Sequence, residues 1–408
     1  MSAVRPPAPP TGLASQRPEY GALVNWWAHM REAAPVHYEE ELGYWHLFRY
    51  EDVANALGDH RTYSSDMRSM VKQPEAFSAV AQGAFLGFDP PAHDTLRTLV
   101  SKVFTPKTIQ NLGPRIEEIS AELMTGLNGA RHVDFVERYA YPLPLAVIAE
   151  VLQIPVVDRA RFKAWSHALF FQGRDNAPVL VATSEMLQSI DPLVAEMNDY
   201  FLDIIRARRA RPGQDLISRL ATVEDHGQRL RDEEILGVCG FLLVAGHITT
   251  TMLLTSAILL FDEHPRDTAA LRDDPGLMPG AVEEVMRHRG QLPAAARRTT
   301  RPLPLRGHTL PQDSIVMLWL TSANHDPRAF PAPETFDSRR TPNRHLALGR
   351  GIHYCLGAPL ARLELAIALN TILAHWSHFE PRGPVRFEDP RHTIGAKEIP
   401  LRVTWRRG

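Results

Sequence analysis

Residues 348–357 read LGRGIHYCLG and stand directly before an apolar-periodic run over residues 358–376. The glycines predict a tight loop, and the periodic run predicts a helix that begins where the loop ends. Cys355 would then lie near the positive end of the helix dipole, where backbone N–H groups stabilise a thiolate and lower the pKa of the thiol. A single cysteine is more often a small buried apolar residue. This context instead favours a sulfur that must remain ionised, as a metal ligand does.

The same stretch closely resembles the haem-binding signature of the cytochromes P450, Phe-Gly-x-Gly-x-His-x-Cys-x-Gly. The resemblance implies that Cys355 is the axial ligand of the iron in haem b (iron protoporphyrin IX). It also implies that Leu348, Gly349 and Gly357 belong to the cofactor-binding loop. Leu348 stands in the place of the family's phenylalanine. This change should alter packing and reduction potential on the sulfur side of the haem, but it removes no ligand.

The composition is typical of an intracellular globular protein. The 408 residues carry a net charge of −2 and include two cysteines, Cys239 and Cys355, so neither nucleic-acid binding nor a disulfide framework is indicated. No apolar run reaches the ~20 residues that a membrane span needs. Residues 1–18 contain five prolines and should form a poorly ordered arm, neither signal peptide nor anchor. No linker follows, so residues 19–408 are expected to form one cytoplasmic domain.

Hydrophobic periodicity predicts mostly helix with a little sheet. A long apolar helix over residues 233–260 carries few charges and should run through the centre of the protein. Further helices are predicted over residues 51–57, 112–123, 185–211 (bent at Pro192) and 278–288, and strands over residues 44–48, 314–320, near Ile394, and over 399–405.

Glu284 and Arg287 are three residues apart on a predicted helix, so their side chains can pair. The usual meaning of such a pair is a surface salt bridge of ~0.5 kcal/mol. In the cytochromes P450, a Glu-x-x-Arg pair at this place in the chain joins a third residue, an arginine from a later segment. Arg340 matches that arginine. The resemblance therefore makes Glu284, Arg287 and Arg340 structural members of the haem-loop core.

Residues 245–250 read AGHITT within the long apolar helix. Gly246 costs ~1 kcal/mol in a helix interior, and threonine hydroxyls can bond back to carbonyl groups. These residues indicate either a local widening of the helix or a close crossing with another element. The segment resembles the oxygen-binding groove of the cytochromes P450, Ala-Gly-x-(Asp/Glu)-Thr. Ala245, Gly246 and Thr249 match it, and the family threonine helps to deliver protons to dioxygen.

Ile248 departs from that pattern, because it occupies the place of the family's acid and cannot titrate. Three interpretations follow. Protons could come through water held by Thr249 and by the substrate, which we favour. Coupling could be poor, or the reaction could do without the full relay. His247 is turned about 100° from position 248 and is better interpreted as a packing or surface histidine.

His93 and Arg97 lie one helical turn apart in the segment over residues 89–97, DPPAHDTLR. A solvated basic face is the ordinary explanation. The resemblance to the family segment Asp-Pro-Pro-x-His-x-x-x-Arg implies instead that both side chains bind a haem propionate. Arg297 and His353 should do so as well, and the neighbouring Arg298 is an alternative to Arg297.

The resemblance extends from about residue 35 to the end of the chain. It implies the mainly helical cytochrome P450 fold, a triangular prism of helices with a small β-rich lobe. It also implies a haem-thiolate monooxygenase that activates dioxygen to hydroxylate or epoxidise a hydrophobic small molecule, in bacterial secondary metabolism or catabolism. The alternatives are peroxide-driven or otherwise atypical oxidation without the acid–alcohol relay, and a non-catalytic haem-binding auxiliary protein.

No segment resembles a flavin or iron–sulfur domain, so electrons should come from a separate ferredoxin and its reductase. We expect a monomer whose basic surface binds the ferredoxin. The candidate docking residues are Lys102, Lys107, Arg344, Arg350 and Arg362.

By the same resemblance, the substrate pocket should be lined by mostly apolar side chains from four segments. They are Met70, Phe85, Leu86, Leu242, Leu243, Ala294, Ala295 and Ile394. These residues suit a medium or large hydrophobic substrate such as a terpenoid, steroid or polyketide.

Overall fold

The computed structural model describes residues 17–68, 70, 75–171, 184–389 and 392–406. The predicted arm lies outside the described residues as far as residue 16, and the first helix already begins at Arg17. The helices are α1 (Arg17–Ala33), α2 (Tyr50–Gly58), α3 (Glu75–Ala81), α4 (Ala92–Val103), α5 (Pro106–Gln110), α6 (Gly113–Thr125), α7 (Pro142–Val151), α8 (Arg159–Phe171), α9 (Ser184–Ala210), α10 (Leu216–Thr222), α11 (Asp232–Glu263), α12 (Pro265–Asp273), α13 (Met278–His288), α14 (Leu320–Asn324) and α15 (Ala358–His375).

Short strands complete the described part. They are β1 (Val36–Glu39), β2 (Tyr44–Leu47), β3 (Tyr63–Ser64), β4 (His132–Asp134), β5 (Glu224–Asp225), β6 (Gln228–Arg229), β7 (Ala295–Thr299), β8 (Leu303–Leu305), β9 (His308–Leu310), β10 (Ile315–Leu318), β11 (Trp376–Pro381), β12 (Arg386–Phe387), β13 (Ala396–Glu398) and β14 (Pro400–Trp405). Five of them form a mixed sheet in the order β1-β2-β10-β7-β3, in which β2 and β10 are parallel. Three form an antiparallel sheet in the order β11-β14-β4.

Helix α11 is the central element. Apart from its two ends it is apolar on all sides, so it can be stable only inside the protein, and it passes through the largest hydrophobic cluster. Its N-terminus carries three acidic residues that favour the positive end of the helix dipole, and the Glu234 carboxylate accepts the backbone N–H of Arg231 at 2.8 Å. The predicted central helix is therefore confirmed.

Two glycines bring the backbone of α11 against the segment that follows α3. A Cβ built on Gly83 would lie 2.0 Å from the carbonyl oxygen of Glu234, and one on Gly237 would lie 2.4 Å from the amide nitrogen of Gly83. Any side chain at either position would push the two segments apart. This contact places α3 over the middle of the protein.

The predicted strand over residues 314–320 is too long. The N–H of Trp319 still bonds to the carbonyl of Leu47 at 2.9 Å, but the Trp319 carbonyl accepts from Ala323 and so starts α14. The strand predicted near Ile394 is β13, which begins at Ala396. The helix predicted around Pro192 is α9, and it continues on both sides of that proline.

The sequence-based expectation that no segment is long and apolar enough to cross a membrane is also wrong. Helix α11 meets that criterion by length and composition. Most of its apolar window is buried inside the protein, however, and a core helix satisfies the same criterion.

Candidate active site

The loop before α15 holds Cys355 in a defined place. Gly349 and Gly351 have φ values of +71° and +75°, which L side chains rarely adopt. A Cβ on Gly351 would also lie 2.7 Å from the carbonyl oxygen of Leu57 at the end of α2. The N–H of Cys355 bonds back to Leu348 at 2.9 Å. The loop is thus folded tightly on itself and against α2.

The backbone N–H groups of Gly357 and Ala358, at the start of α15, point at the Cys355 sulfur. These bonds and the charges of Arg97 and Arg362 lower the pKa of the thiol, but its burial has the larger effect and raises the pKa above the ordinary value. The expected low pKa of the free thiol is therefore wrong. Burial removes water that a thiolate needs, and a bound metal cation would supply the missing counter-charge.

Four basic side chains, His93, Arg97, Arg297 and His353, gather near this loop, and three of them have buried nitrogen atoms without a partner in the described part of the chain. Among the described residues, His93 Nε2, Arg97 Nη1 and both ring nitrogens of His353 are buried without a hydrogen-bond partner. The ring centroids of His93 and His353 are 4.6 Å apart, in an edge-to-face arrangement. Burial and the charge of Arg297 lower the pKa of His353 to about 3. Buried donors of this kind are costly unless a ligand satisfies them.

Of the neighbouring residues Arg297 and Arg298, Arg297 is the one whose guanidinium group remains available to a ligand. It is half-buried, and desolvation lowers the pKa of its guanidinium to about 10. Its Nη1 donates to the carbonyl of Ala296, the preceding residue, at 2.8 Å. Arg298 is instead occupied by Asp313, at 2.5 Å, and by the carbonyl of Asp66. The geometry therefore favours Arg297 over Arg298 as a ligand-binding residue.

A buried thiol beside four basic side chains, three of them with buried nitrogen atoms that bond to no described residue, fits a metal-containing group with two carboxylates. Haem b is such a group, and the residues present suit it: Cys355 for the iron and His93, Arg97, Arg297 and His353 for the propionates. Among the described residues, no cluster of three or more histidine, cysteine, aspartate or glutamate side chains could hold a separate metal ion.

Glu284 is the centre of the predicted structural network. It is completely buried and accepts both Nε and Nη2 of Arg287 at 2.8 Å. It also accepts Arg340 Nε at 3.1 Å, the Asp337 N–H at 3.1 Å and Asn343 Nδ2 at 3.0 Å. Arg287 also donates to the carbonyl groups of Asn324, at the end of α14, and of Pro333 and Thr335. The network thereby joins α13 to the segment that leads into the Cys355 loop.

A second network, which sequence reasoning missed, starts at the neighbouring Glu283. Its carboxylate accepts Arg362 Nε at 2.6 Å and lies 3.1 Å from His345 Nε2. Arg362 also donates to the Tyr354 hydroxyl at 3.1 Å, and Arg97 donates to the Tyr354 carbonyl at 2.6 Å. Tyr354, the loop residue next to Cys355, is thus bound at its hydroxyl group by Arg362 and at its carbonyl group by Arg97. The only indication of this network in the sequence is that a second glutamate, Glu283, stands next to Glu284.

Gly246 marks a close helix crossing. A Cβ there would lie 2.3 Å from Ile148 Cδ1 of α7. The hydroxyls of Thr249, Thr250 and Thr251 donate back to carbonyls four residues earlier, at 2.5, 3.2 and 3.1 Å, while the backbone stays α-helical throughout. The crossing explains the glycine, and no widening of the helix accompanies it.

One stripe of α11 is only half-buried, although the rest of the helix is enclosed. It includes Phe241, Val244, Ala245 and Thr249. Phe241 and Val244 were missed in the sequence, but Phe241, Ala245 and Thr249 follow each other at intervals of four, which is the spacing of one helix face. This stripe is the part of α11 that can face a bound cofactor and substrate.

Ile248 lies beside that stripe in an apolar environment. It is completely buried with Met252, and Tyr141 and Val244 pack against the pair. His247 cannot replace the missing acid, because both of its nitrogens are engaged. Nε2 lies 3.2 Å from the Tyr141 carbonyl and must donate to it, so Nδ1 accepts from the Ser166 hydroxyl at 2.7 Å. His247 is thus a packing histidine.

We expect His247 to make the protein sensitive to acid. Burial lowers its pKa to about 3, whereas an unfolded histidine titrates near pH ~6.5. Between these values only the unfolded chain is protonated, so stability falls as the pH falls, by about 1.4 kcal/mol per pH unit. His247→Gln should therefore show a shallower loss of urea stability between pH 7 and pH 5 than the unsubstituted protein. His226→Gln, at a side chain that is 96% exposed, should leave the slope unchanged; an unchanged slope in His247→Gln would contradict the assignment.

The predicted pocket residues are only partly brought together. Phe85 packs between His93 and Phe241, so it connects the basic cluster to α11. Leu242 and Leu243 lie in the main hydrophobic core rather than on the half-buried stripe, and Met70 and Leu86 are exposed.

The remaining predicted pocket residues belong to two apolar clusters. Ala294, which precedes β7, and Ile394 share one cluster, against which Met67 packs. Ala295, the first residue of β7, packs with Leu292 against the other cluster. Of this pair of alanines, Ala294 is therefore the one that accompanies Ile394.

The chain is similar to proteins of one known family. The family model described as cytochrome P450 matches residues 276–405. The cyclomarin C epoxidase of Salinispora arenicola is 38% identical over 94% of this chain and 96% of its own. The erythromycin C-12 hydroxylase of Saccharopolyspora erythraea is 39% identical over 87% of both chains. The ligand-free structure of cytochrome P450 TbtJ1 superimposes with a TM-score of 0.85, at 38% identity, over 98% of this chain and 100% of the other. The chain therefore belongs to the cytochrome P450 family, whose members are oxidoreductases that bind haem b.

Proposed function

We propose that this cytochrome P450 hydroxylates or epoxidises a medium or large hydrophobic secondary metabolite, of which polyketides are our preferred class. The observation that carries the proposal is the buried thiol of Cys355, set beside four basic side chains, three of which have buried nitrogen atoms without a partner among the described residues. The relatives named for erythromycin C-12 hydroxylation and cyclomarin C epoxidation support a large substrate. The apolar character of Phe241, Val244 and Ala294 supports a hydrophobic one.

In this proposal each residue has a distinct task. Haem b held by a thiolate activates dioxygen for insertion of one oxygen atom into a C–H bond or an alkene. Cys355 would bind the iron, and His93, Arg97, Arg297 and His353 would neutralise and orient the propionates. Thr249 would bind the water that brings protons. Its hydroxyl already donates to the Ala245 carbonyl at 2.5 Å, so its oxygen is left to accept a hydrogen bond from that water.

The proton path should run along the substrate side of α11. Ile248 and Met252 form a buried apolar pair on the adjacent side, and His247 is fixed by two hydrogen bonds. Water at Thr249 and polar groups of the substrate are then the remaining sources of protons. Peroxide-driven oxidation is the second candidate, and the acid's replacement by Ile248 favours it, because peroxide already brings both oxygen atoms and protons.

We further propose a cytoplasmic monomer that receives electrons from a ferredoxin and its reductase. Of the five candidate docking cations, Lys102 is paired with Asp225 and Arg362 with Glu283. Turnover with NADPH and these partners, compared with turnover by hydrogen peroxide, tests the electron source. A panel of macrolides, cyclic peptides, terpenoids and steroids, scored by the low-to-high-spin shift of the Soret band, tests the substrate class. If no compound of the panel shifts the band, the proposed class is wrong.

Ile248→Glu should leave the coupling of NADPH consumption to product formation unchanged or lower it. The new carboxyl group would lie among the side chains that pack around Ile248, those of Met252 and Tyr141. Burial there keeps the carboxyl group protonated, and the substitution lowers the stability of the protein by about 2–5 kcal/mol. Ile248→Leu preserves the apolar contacts and serves as the matched control. Coupling is measured as product formed per NADPH consumed. A large gain in Ile248→Glu would show that Ile248 is a simple defect in the usual relay.

A further inference from the structure

A concave basin of about 750 Å³ lies on the outer side of the Cys355 loop. Its wall includes the loop residues 349–351 and Tyr354, and the facing side is formed by Tyr50 and Phe330, whose rings pack edge to face at 5.7 Å. This volume falls within the ~300–1,000 Å³ of small-molecule sites, which combine aromatic walls with a few polar groups.

Two arginines in the basin have no counter-charge. The guanidinium groups of Arg344 and Arg350 are exposed, and within the described ranges no carboxylate or carbonyl binds either of them. Arg328, at the rim, differs because Glu32 and Asp326 pair with it. The basin therefore presents two free positive charges.

His345 supplies a third and deeper polar group. Its side chain is only 3% exposed, and its Nε2 faces the Glu283 carboxylate at 3.1 Å. A carboxylate accepts, so Nε2 carries a proton. Nδ1 is buried and has no partner within the part of the chain that the structure describes. A buried ring nitrogen left in this way is costly unless a ligand or water bonds to it.

We propose that the basin binds a small organic anion, with its carboxylate or phosphate between Arg344, Arg350 and His345 and its apolar part against Tyr50. Two arginine forks suit the oxygens of such a group, and Nδ1 of His345 can accept a hydrogen bond from a P–OH or other hydroxyl group of the ligand. The depth of His345 favours a small molecule over the acidic surface of a partner protein, because a ligand must enter the basin to reach Nδ1.

The bound anion would be connected to the loop that carries Cys355. His345 contacts Glu283, Glu283 binds Arg362 at 2.6 Å, and Arg362 binds the Tyr354 hydroxyl at 3.1 Å. The lining of the basin includes none of the four basic side chains assigned to the haem propionates, so the basin is a separate ligand site. Binding of the anion there does not depend on the proposed function.

Calorimetric titration of the full-length, haem-loaded protein tests the site, with inorganic phosphate and phenyl phosphate as probes. Phenyl phosphate should bind more tightly than phosphate, because the aromatic wall adds contact area. Arg344→Gln and Arg350→Gln should each weaken phenyl phosphate binding about tenfold or more. Arg339→Gln, at an exposed arginine of the same segment outside the basin, should leave the affinity unchanged.

Equal affinities in all three variants, or no saturable binding of phenyl phosphate, would overturn the proposal. If Arg344→Gln and Arg350→Gln instead weaken only ferredoxin binding, the basin belongs to protein docking. The small-anion site is then wrong while the proposed function stands. His345→Gln adds a separate check, because it should weaken phenyl phosphate binding without removing a surface charge of the rim.

Discussion

Glu284→Ala is expected to yield protein that is recovered without haem. The substitution leaves the buried guanidinium of Arg287 without its carboxylate, and breaking a buried pair in this way costs about 3–5 kcal/mol. Arg340, Asn343 and the Asp337 N–H lose their acceptor at the same time. Because this network connects α13 with the segment before the Cys355 loop, the loop should lose its position together with stability.

The ratio of haem to protein and the absorption spectrum measure this result. Glu122→Ala is the matched control, since Glu122 is exposed and lies 3.6 Å from Arg115, where a pair contributes less than ~1 kcal/mol. That variant should bind haem normally. A purified Glu284→Ala protein with a normal thiolate-ligated spectrum would refute the structural role of the network.

Cys355→Ala is expected to abolish both the thiolate-ligated spectrum and monooxygenase activity. The sulfur is the atom at which the Gly357 and Ala358 amides converge, and alanine offers nothing in its place. Haem should still bind weakly, because His93, Arg97, Arg297 and His353 remain to hold the propionates. Cys355→Ser keeps the shape of the side chain but should also lack the thiolate spectrum, since a hydroxyl does not ionise here.

Cys239→Ala is the control for this variant. Cys239 is completely buried in the main hydrophobic core, and removing its sulfur should cost on the order of 1 kcal/mol of stability through the cavity that it leaves. The spectrum and the activity of that variant should be unchanged. Retention of a thiolate-ligated spectrum by Cys355→Ala would exclude Cys355 as the ligand.

Features carried by neighbouring residues could be predicted from the sequence. The loop before α15, the apolar length of α11 and the three-residue spacing of Glu284 and Arg287 are all local patterns. A local pattern determines backbone conformation and which side chains share a helix face, because helices and tight turns repeat within a few residues. The strand predicted over residues 314–320 is longer than the observed strand β10. The end of a strand depends on its pairing with a distant segment, here the one that contains Leu47.

Features that depend on distant parts of the chain could not be predicted in this way. The sequence leaves Arg297 and Arg298 as alternatives, and the pairing of Arg298 with Asp313 and with the Asp66 carbonyl is what separates them. Likewise, Gly246 is explained by Ile148 of another helix. The pKa of Cys355 was misjudged because desolvation depends on everything packed around the sulfur.

The sequence by itself determined the family, the ligand cysteine that we propose and the absence of an acid at position 248. These depend on residue identity and spacing, which folding does not change. The tertiary structure decided which basic groups remain free and which are paired, that His247 is fixed by two hydrogen bonds, and that Glu283 links His345 to the Cys355 loop. The physical reason is that burial and partner choice are set by contacts between residues far apart in the chain, and these contacts decide whether a charged or polar group is satisfied or available to a ligand.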